Sequence, residues 1–526
     1  MIRQLTLSLT MAIALASALP TTVSAQGASD EMVLEEVIVT AVRRETGLME
    51  TPVAVSAFDQ DTLAREGVNN LVNIGSLVPN MQVGLSPSDS GVQIALRGIT
   101  SNNFTELGDP TVGIHVDGMY SPRPQGALAL LYDVERIDIM RGPQGTLFGR
   151  NSTSGTINII TSRPDTNEFG GSVEVEYGNY SNLATRGWLN IPAGDKVAFR
   201  ASFMSQQMDT YLNQYMEEYD LDWDVDGDGR TDGPNDVPAD GIPNTDQRRN
   251  YKQSDSEAYG SIDRWGARLS ARFMPTDRID WILTYDHFQD NSPGVPFLKD
   301  CEKAKGTFFE CDHPLFDLRV NTPGELDMSI KTIRSEFLWD ATDWFSVEYR
   351  YAYAEQDRSQ LFDQDAGAFP DPDHPGYGID IDGALFGGVR GWMIRDEQAF
   401  YDLGFQPRAL QPFEDLALET EYSHYKSQVH DLIIKSEGDS RLQWLAGFFY
   451  LEEDNEIKFN VEIPWCCGFI RPLAQSFVQP KRTVESEAVF AQFDFAVNDL
   501  LNITAGYRHT WDEKADIGGS NHQTTG

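Results

Sequence analysis

The chain has 526 residues, a formal net charge of −40 and a pI near 4.4. That balance argues against a nucleic-acid-binding protein, because a phosphate-binding surface needs a basic footprint. Four cysteines do not make a disulfide scaffold, while 11% aromatic residues and 44 glycines suit an exported, mainly β protein, either barrel or sandwich.

Residues 1–25 carry a cationic Arg3, an apolar run from Leu5 to Leu19 and the small-residue ending Val23-Ser24-Ala25. They read as a signal peptide for export, since the apolar run is shorter than the roughly 20 residues of a spanning helix. No later run reaches that length, so a mature chain that enters a membrane would do so with strands. Residues 26–46 form a lead containing "LEEVIVTAVRRE". Its β-branched alternation over Glu36, Val37, Ile38, Val39, Thr40 and Ala41 is too short to make a sheet alone. It needs an edge to pair with, either its own domain's or a partner's.

Residues 47–165 read as a Gly-rich α+β domain. A helix is expected to start at Asp61-Thr-Leu-Ala-Arg-Glu66 and a second at Asn70–Ile74, with strands at 112–118 and 134–139. From residue 171 onward the pattern changes to period-2 alternation, at its clearest in "FSVEYRYAY" from Phe345. Phe345, Val347, Tyr349 and Tyr351 share one face; Ser346, Glu348 and Arg350 share the other. Similar runs at 172–177, 184–191, 197–208, 266–274, 279–288, 331–339, 427–436, 441–452, 486–496 and 501–511 predict about eleven strands. Short Gly, Asp and Asn turns alternate with long polar connections at 209–265, 289–330, 357–426 and 453–484. This is the pattern of a transmembrane barrel with tight turns on one rim and long loops on the other.

Within the first long connection, Asp224, Asp226, Asp228 and Asp232 stand at calcium-loop spacing, but Asn235 replaces the closing Glu and no helices flank the loop. An acidic solvated loop is the leading reading, with weak calcium binding the alternative. Cys301 and Cys311 could close a short disulfide loop, whereas the adjacent Cys466 and Cys467 would form a strained one.

The stretch "YDVERIDIMRGPQGTLFGRNSTSGTINIITSRP" over 132–164 closely resembles the end of the plug domain of TonB-dependent outer-membrane receptors. Arg97 and Gly98 resemble its earlier motif, Asp117 and Gly118 fall between, and "LEEVIVTA" resembles a TonB box. The resemblance implies a plug over 47–165 inside an antiparallel transmembrane β-barrel over 171–526, about half of the 22 strands of a closed one. By the same resemblance, Gly142, Gly145, Gly149 and Gly155 are close-packing positions, and Arg97, Arg141 and Arg150 are candidates to pair with carboxylates on the barrel wall.

The function implied is TonB-energised import across the outer membrane by a lipid-embedded monomer, with a ferric siderophore the favoured ligand. Glycan, cobalamin or another chelate are the alternatives. Residues 36–41 are the expected site for the TonB C-terminal domain and its inner-membrane complex, and the short lead leaves no room for a separate signalling domain. Phe104, Tyr120 and Arg123 are the candidate ligand contacts. No cofactor is required. A passive porin or adhesin would need neither plug nor box, and an enzyme is disfavoured because no nucleophile or metal set converges in the sequence.

Overall fold

A computed structural model describes residues 38–40, 43–44, 46–47, 51–68, 71–85, 92–101, 108–123, 131–219, 248–296, 314, 316–320, 322–363, 417–463, 473–498 and 500–524. The expectations for the signal peptide, for Glu36, Val37, Ala41 and Phe104, for the Asp224–Asp232 loop and for all four cysteines lie outside them. The chain divides after Ile38 into two units, and the architecture below is that of Val39–Gly526.

The first strands are β1 (Ile38–Val39), β2 (Thr46–Gly47) and β3 (Ala54–Asp59). A helix follows at Gln60–Arg65, capped by Asp59, whose Oδ1 accepts from Thr62 N at 2.7 Å. The cap therefore lies two residues earlier than the sequence suggests, and Asp61 sits in the first turn. There its charge complements the helix dipole. A second helix, Leu71–Leu77, buries Leu71 and Ile74. Then come β4 (Met81–Leu85), β5 (Val92–Leu96), β6 (Val112–Val116), β7 (Met119–Ser121), β8 (Val134–Arg141) and β9 (Gly155–Thr161), with one helical turn at Gly145–Phe148. β3, β8, β9, β6 and β7 form one sheet in that order, with β6 parallel to β9. Ile114, Ile137, Ile139, Ile157 and Ile159 lie on its strands, each at most 1% exposed, in one core with Leu71 and Ile74 of the second helix. Burying each such side chain is worth about 1.5–3 kcal/mol, so this sheet is the stable body of the domain.

The remaining strands are β10 (Gly170–Tyr177), β11 (Leu183–Pro192), β12 (Val197–Met208), β13 (Asn213–Tyr219), β14 (Arg248–Lys252), β15 (Ile262–Thr276), β16 (Ile279–Asp290), β17 (Asp317–Val320), β18 (Glu325–Thr342), β19 (Phe345–Asp363), β20 (Ala417–Ser436), β21 (Leu442–Ile463), β22 (Leu473–Asn498) and β23 (Leu501–Thr524). Eleven of them form one antiparallel sheet in the order β10-β11-β12-β15-β16-β18-β19-β20-β21-β22-β23. Each contains one of the predicted alternating runs. Their short connections include turns at Gly194 and Gly438, both at positive φ (+84 and +81) where a side chain would be strained.

The sheet's polarity is that of a membrane protein. Leu269, Tyr285 and Ile333 stand opposite one another on adjacent strands and are 58%, 39% and 41% exposed. On the other face Arg268, Asp286, Arg334 and Glu336 are buried. Apolar side chains outward and charged ones inward is the arrangement lipid selects. In β19, Ser346 and Glu348 are buried while Tyr349 is exposed, in agreement with the expected faces.

Two features differ from the sequence reading. The strands on the long-loop side run well into the predicted connections, for instance to Asp363 in β19 and Ile463 in β21. Strand length climbs from 8 residues in β10 to 26 in β22. In addition, β14, β13 and β17 form a separate three-stranded sheet with β13 parallel to β17. Its core comprises Leu212, Met216, Leu318 and Val320 packed with Tyr259 and with Phe362 near the end of β19. Tyr259 Oη accepts from the Asp363 amide at 2.7 Å, fixing this small sheet to the wall.

Candidate functional site

From Val39, the last residue of β1, the lead docks onto the β8–β9 face of the inner sheet. Val39 is fully buried in a cluster with Met119, Met140, Phe148 and the wall residues Val429 and Ile433. The Thr40 amide and hydroxyl both donate to Asp138 Oδ2, at 3.1 and 3.0 Å, and Asn158 Nδ2 donates to Thr40 Oγ1 at 3.2 Å. Burial pushes the Asp138 carboxyl up, against the pull of the Thr40 donors and of Arg136. Its Oδ1 is buried with no hydrogen-bond partner, so the carboxylate depends on the lead for much of its compensation.

The next turn anchors the chain to the wall. Arg43 pairs with Asp431 of β20 at 3.0 Å, donates to the Gly118 carbonyl at 2.8 Å and lies over the Phe148 ring at 4.8 Å. Arg44 donates to the Ser436 carbonyl at 2.7 Å and to the Trp444 carbonyl at 2.6 Å. Two adjacent cations in an acidic chain were the available sequence signal for this anchor, but both were read only as part of the lead.

Further ion pairs join the inner domain to the wall. Arg163 meets Glu336 at 3.0 Å, Arg200 of β12 meets Asp133 at 2.5 Å, and Arg334 of β18 meets Asp117 at 3.3 Å. These are not the arginines expected from the sequence. Arg150 pairs with Asp109 of its own domain at 3.2 Å, and Asp109 in turn is bridged to the wall by Lys514. Arg97 and Arg141 have no carboxylate partner among the described residues. Arg97 has φ +55 and is exposed beside Gly142, so its direction is set by the turn.

The motif glycines divide by their surroundings. A Cβ on Gly155 would collide with Leu96 and the Met140 carbonyl, and one on Gly149 with the Arg508 guanidinium at 2.6 Å. Gly98, Gly118 and Gly142 adopt positive φ, whereas Gly145 has open space around it. Asp117, itself at φ 52, accepts from the Thr161 amide at 2.8 Å and so ties β6 to β9.

Tyr120 and Arg123 are 3% and 4% exposed, which leaves little surface for a ligand to touch. Tyr120 Oη accepts from Asn151 Nδ2 at 2.7 Å. Arg123 pairs with Glu453 of β21 at 2.7 Å, donates to the Gly108 carbonyl at 2.7 Å and lies 4.9 Å from the centre of the Tyr425 ring. Burial is the largest influence and opposes the Arg123 charge, but Glu453, Tyr425, Tyr120 and Asp109 together outweigh it and hold the guanidinium above its ordinary range. In this state both residues tie the inner domain to the wall.

Residues 47–156 match the family described as TonB-dependent Receptor Plug Domain. The pesticin receptor of Yersinia enterocolitica is 36% identical over 101 residues, 18% of this chain and 14% of that protein. The ferripyoverdine receptor of Pseudomonas aeruginosa is 31% identical over 145 residues, 28% of this chain and 17% of that protein. Among solved structures, the ferric yersiniabactin uptake receptor of Yersinia pestis superposes with a TM-score of 0.61 at 16% identity, over 90% of this chain and 60% of that one. The chain thus spans well under two thirds of these curated relatives and 60% of that solved chain.

Proposed function

The chain belongs with the TonB-dependent outer-membrane receptors, and on that premise we propose that it imports a scarce extracellular ligand into the periplasm using force delivered by TonB. The observation that carries this reading is the docked lead. Residues 39–44 connect a strand-like tail to both the plug sheet and the wall through Asp138, Asp431 and Ser436. A pull on residues 36–41 would therefore load the joint between plug and barrel. The TonB C-terminal domain would take this segment by strand addition, in which main-chain hydrogen bonds bear the load.

The receptor acts as a transporter rather than an enzyme, embedded in outer-membrane lipid as a monomer. A ferric siderophore is the favoured ligand, by likeness to receptors whose names record ferripyoverdine and ferric yersiniabactin. Cobalamin or another chelate would use the same mechanism. Phe104 remains a candidate ligand contact, with Tyr120 and Arg123 able to contribute only if the plug shifts.

Replacing Ile38 by Pro tests the proposal, because proline removes a main-chain donor from a paired strand. Uptake should be abolished while ligand binding to cells persists. Unchanged uptake would show that force is not applied here.

A further inference from the structure

The face of the plug sheet that receives the lead is polar where the opposite face is apolar. Asp138 lies between Ile137 and Ile139, Asn158 between Ile157 and Ile159, and His115 next to Ile114. Strand alternation therefore turns these three away from the isoleucine core and toward the lead. Asp138 stands opposite Asn158, Asn158 opposite His115, and His115 opposite Tyr120, one row across β8, β9, β6 and β7. Thr40 covers the Asp138 and Asn158 end of the row. At the other end the His115 ring meets the Phe148 ring at 5.0 Å, and Arg43 lies over that same Phe148 ring at 4.8 Å.

His115 is fully buried, and neither ring nitrogen has a hydrogen-bond partner among the described residues. An imidazole so placed is held neutral. Burial is the largest influence; the guanidinia of Arg43, of Arg508 in β23 and of Arg350 in β19 oppose a further positive charge, and the Phe148 carbonyl offsets them only in part, so the ring lies well below its ordinary value of 6.5. Tyr120, with ring centres 5.5 Å apart, presents a phenol already bonded to Asn151. Arg43 and Arg350 have carboxylates of their own in Asp431 and Glu348, at 3.0 and 2.8 Å. Of the three cations, Arg43 alone belongs to the lead. Its departure removes one of the charges that keep His115 neutral and uncovers the Phe148 ring above it, while Arg350 and Arg508 stay on the wall. Such coupling is reciprocal: a proton that His115 binds more tightly when the lead is away weakens docking by the same factor.

We propose that His115 is a proton-operated release for the lead: protonation of its ring frees residues 39–44 from the plug, and docking of those residues expels the proton. The proposal rests on the import reading only for what the freed lead is used for. The docked state is fully favoured above the ordinary histidine range and loses ground as pH falls through it. With the released ring titrating near 6.5, the ratio of released to docked lead should rise about tenfold between pH 7.5 and 5.5.

A cysteine at the buried Val39 reads the release. Its labelling by a water-soluble maleimide, mapped by peptide mass on the folded protein in detergent, is compared at the two pH values with His115 present and in the His115→Phe and His115→Gln backgrounds. With the docked form predominant, labelling is proportional to the released fraction. Dividing the His115 rate by the variant rate at each pH cancels the reagent's own pH dependence and the titration of Asp138, which the backgrounds share. The quotient should rise about tenfold toward pH 5.5. A quotient that does not change with pH for either variant overturns the proposal. A cysteine at the fully buried Ile157 should stay unlabelled throughout; labelling there as well overturns the proposal by showing that acid unfolds the plug. Release that follows His115 while Ile38→Pro leaves uptake unchanged supports the proton coupling and sinks only the import reading.

Discussion

Thr40 and Asp138 are joined twice at one atom: the amide and the hydroxyl of Thr40 both donate to Asp138 Oδ2. The pair decides whether the segment after residue 38 lies on the plug or comes away from it. Replacing Asp138 by Ala should release the lead, at a cost of about 1–3 kcal/mol for the hydrogen bonds lost from a buried site. A cysteine at the fully buried Val39 reports the change. It should resist a water-soluble maleimide in the parent protein and react in the Asp138→Ala background; equal reactivity in both would show that the contact does not hold the lead.

Asp138 also predicts a pH dependence. Burial raises its carboxyl above the reference value of 3.8, so the folded protein binds this proton more tightly than the unfolded chain does. Its contribution to stability is then fully present below 3.8 and is lost as pH rises through the folded-state value. Denaturant midpoints of the parent and of Asp138→Asn, compared across the window just above 3.8, should show the parent losing stability relative to the variant as pH rises. Parallel curves would contradict it.

Arg43 and Asp431 form a pair buried between plug and wall. Removing either partner leaves an uncompensated charge and should cost about 3–5 kcal/mol. The double replacement should cost much less than the sum, and a double-mutant cycle by chemical denaturation measures the difference. Additive losses would mean the two side chains act independently.

The plug glycines should separate in one experiment. Gly155→Ala drives a methyl into Leu96 and the Met140 carbonyl, and overpacking of that kind typically costs about 1–3 kcal/mol. Gly145→Ala meets nothing within 4 Å and should be tolerated. Thermal unfolding of the two variants gives the comparison, and equal midpoints would refute the packing argument.

On the wall, Val347→Arg places charge on the outward face and Ser346→Arg on the inward one. The outward change should cost about 2–4 kcal/mol near the bilayer midplane. The inward change should cost less, although it breaks the Ser346 bond to Glu437 at 2.6 Å. Folding free energies in bilayers test this, and a larger cost at Ser346 would invert the face assignment.

The wall was legible because a strand with lipid on one side and charge on the other prints its period in the sequence, as Phe345 to Tyr353 does. Beyond the lipid the same strand has polar residues followed by the adjacent Leu361 and Phe362, so Asp357 to Asp363 carries no alternation to read. The small sheet was hidden for another reason. Pairing Asn213 with Asp317 is a contact across about a hundred residues, and no local pattern announces it. The plug motif marked where backbones approach closely, but it could not say which arginine meets which carboxylate. Among the described residues Arg163 and Arg43 pair with wall carboxylates where Arg97 and Arg141 do not, and partners that distant in sequence leave no local pattern to read.

The climb from 8 residues in β10 to 26 in β22 makes the wall a ramp with one low and one high flank. A tilted strand crosses the hydrocarbon in about 9–11 residues, so some 15 residues of β22, on the order of 40 Å of sheet, stand in water. Lipid cannot hold that parapet together, and on its outward side opposite charges stand in alternating register. Lys331 lies opposite Glu355, Glu355 opposite Lys426, and Lys426 opposite Asp454, a rung of alternating charge spanning four strands. Exposed pairs of this kind weaken as salt rises. Such a sheet would have two mechanical regimes: a base governed by the bilayer, and a crest whose stiffness falls as the salt in the surrounding water rises.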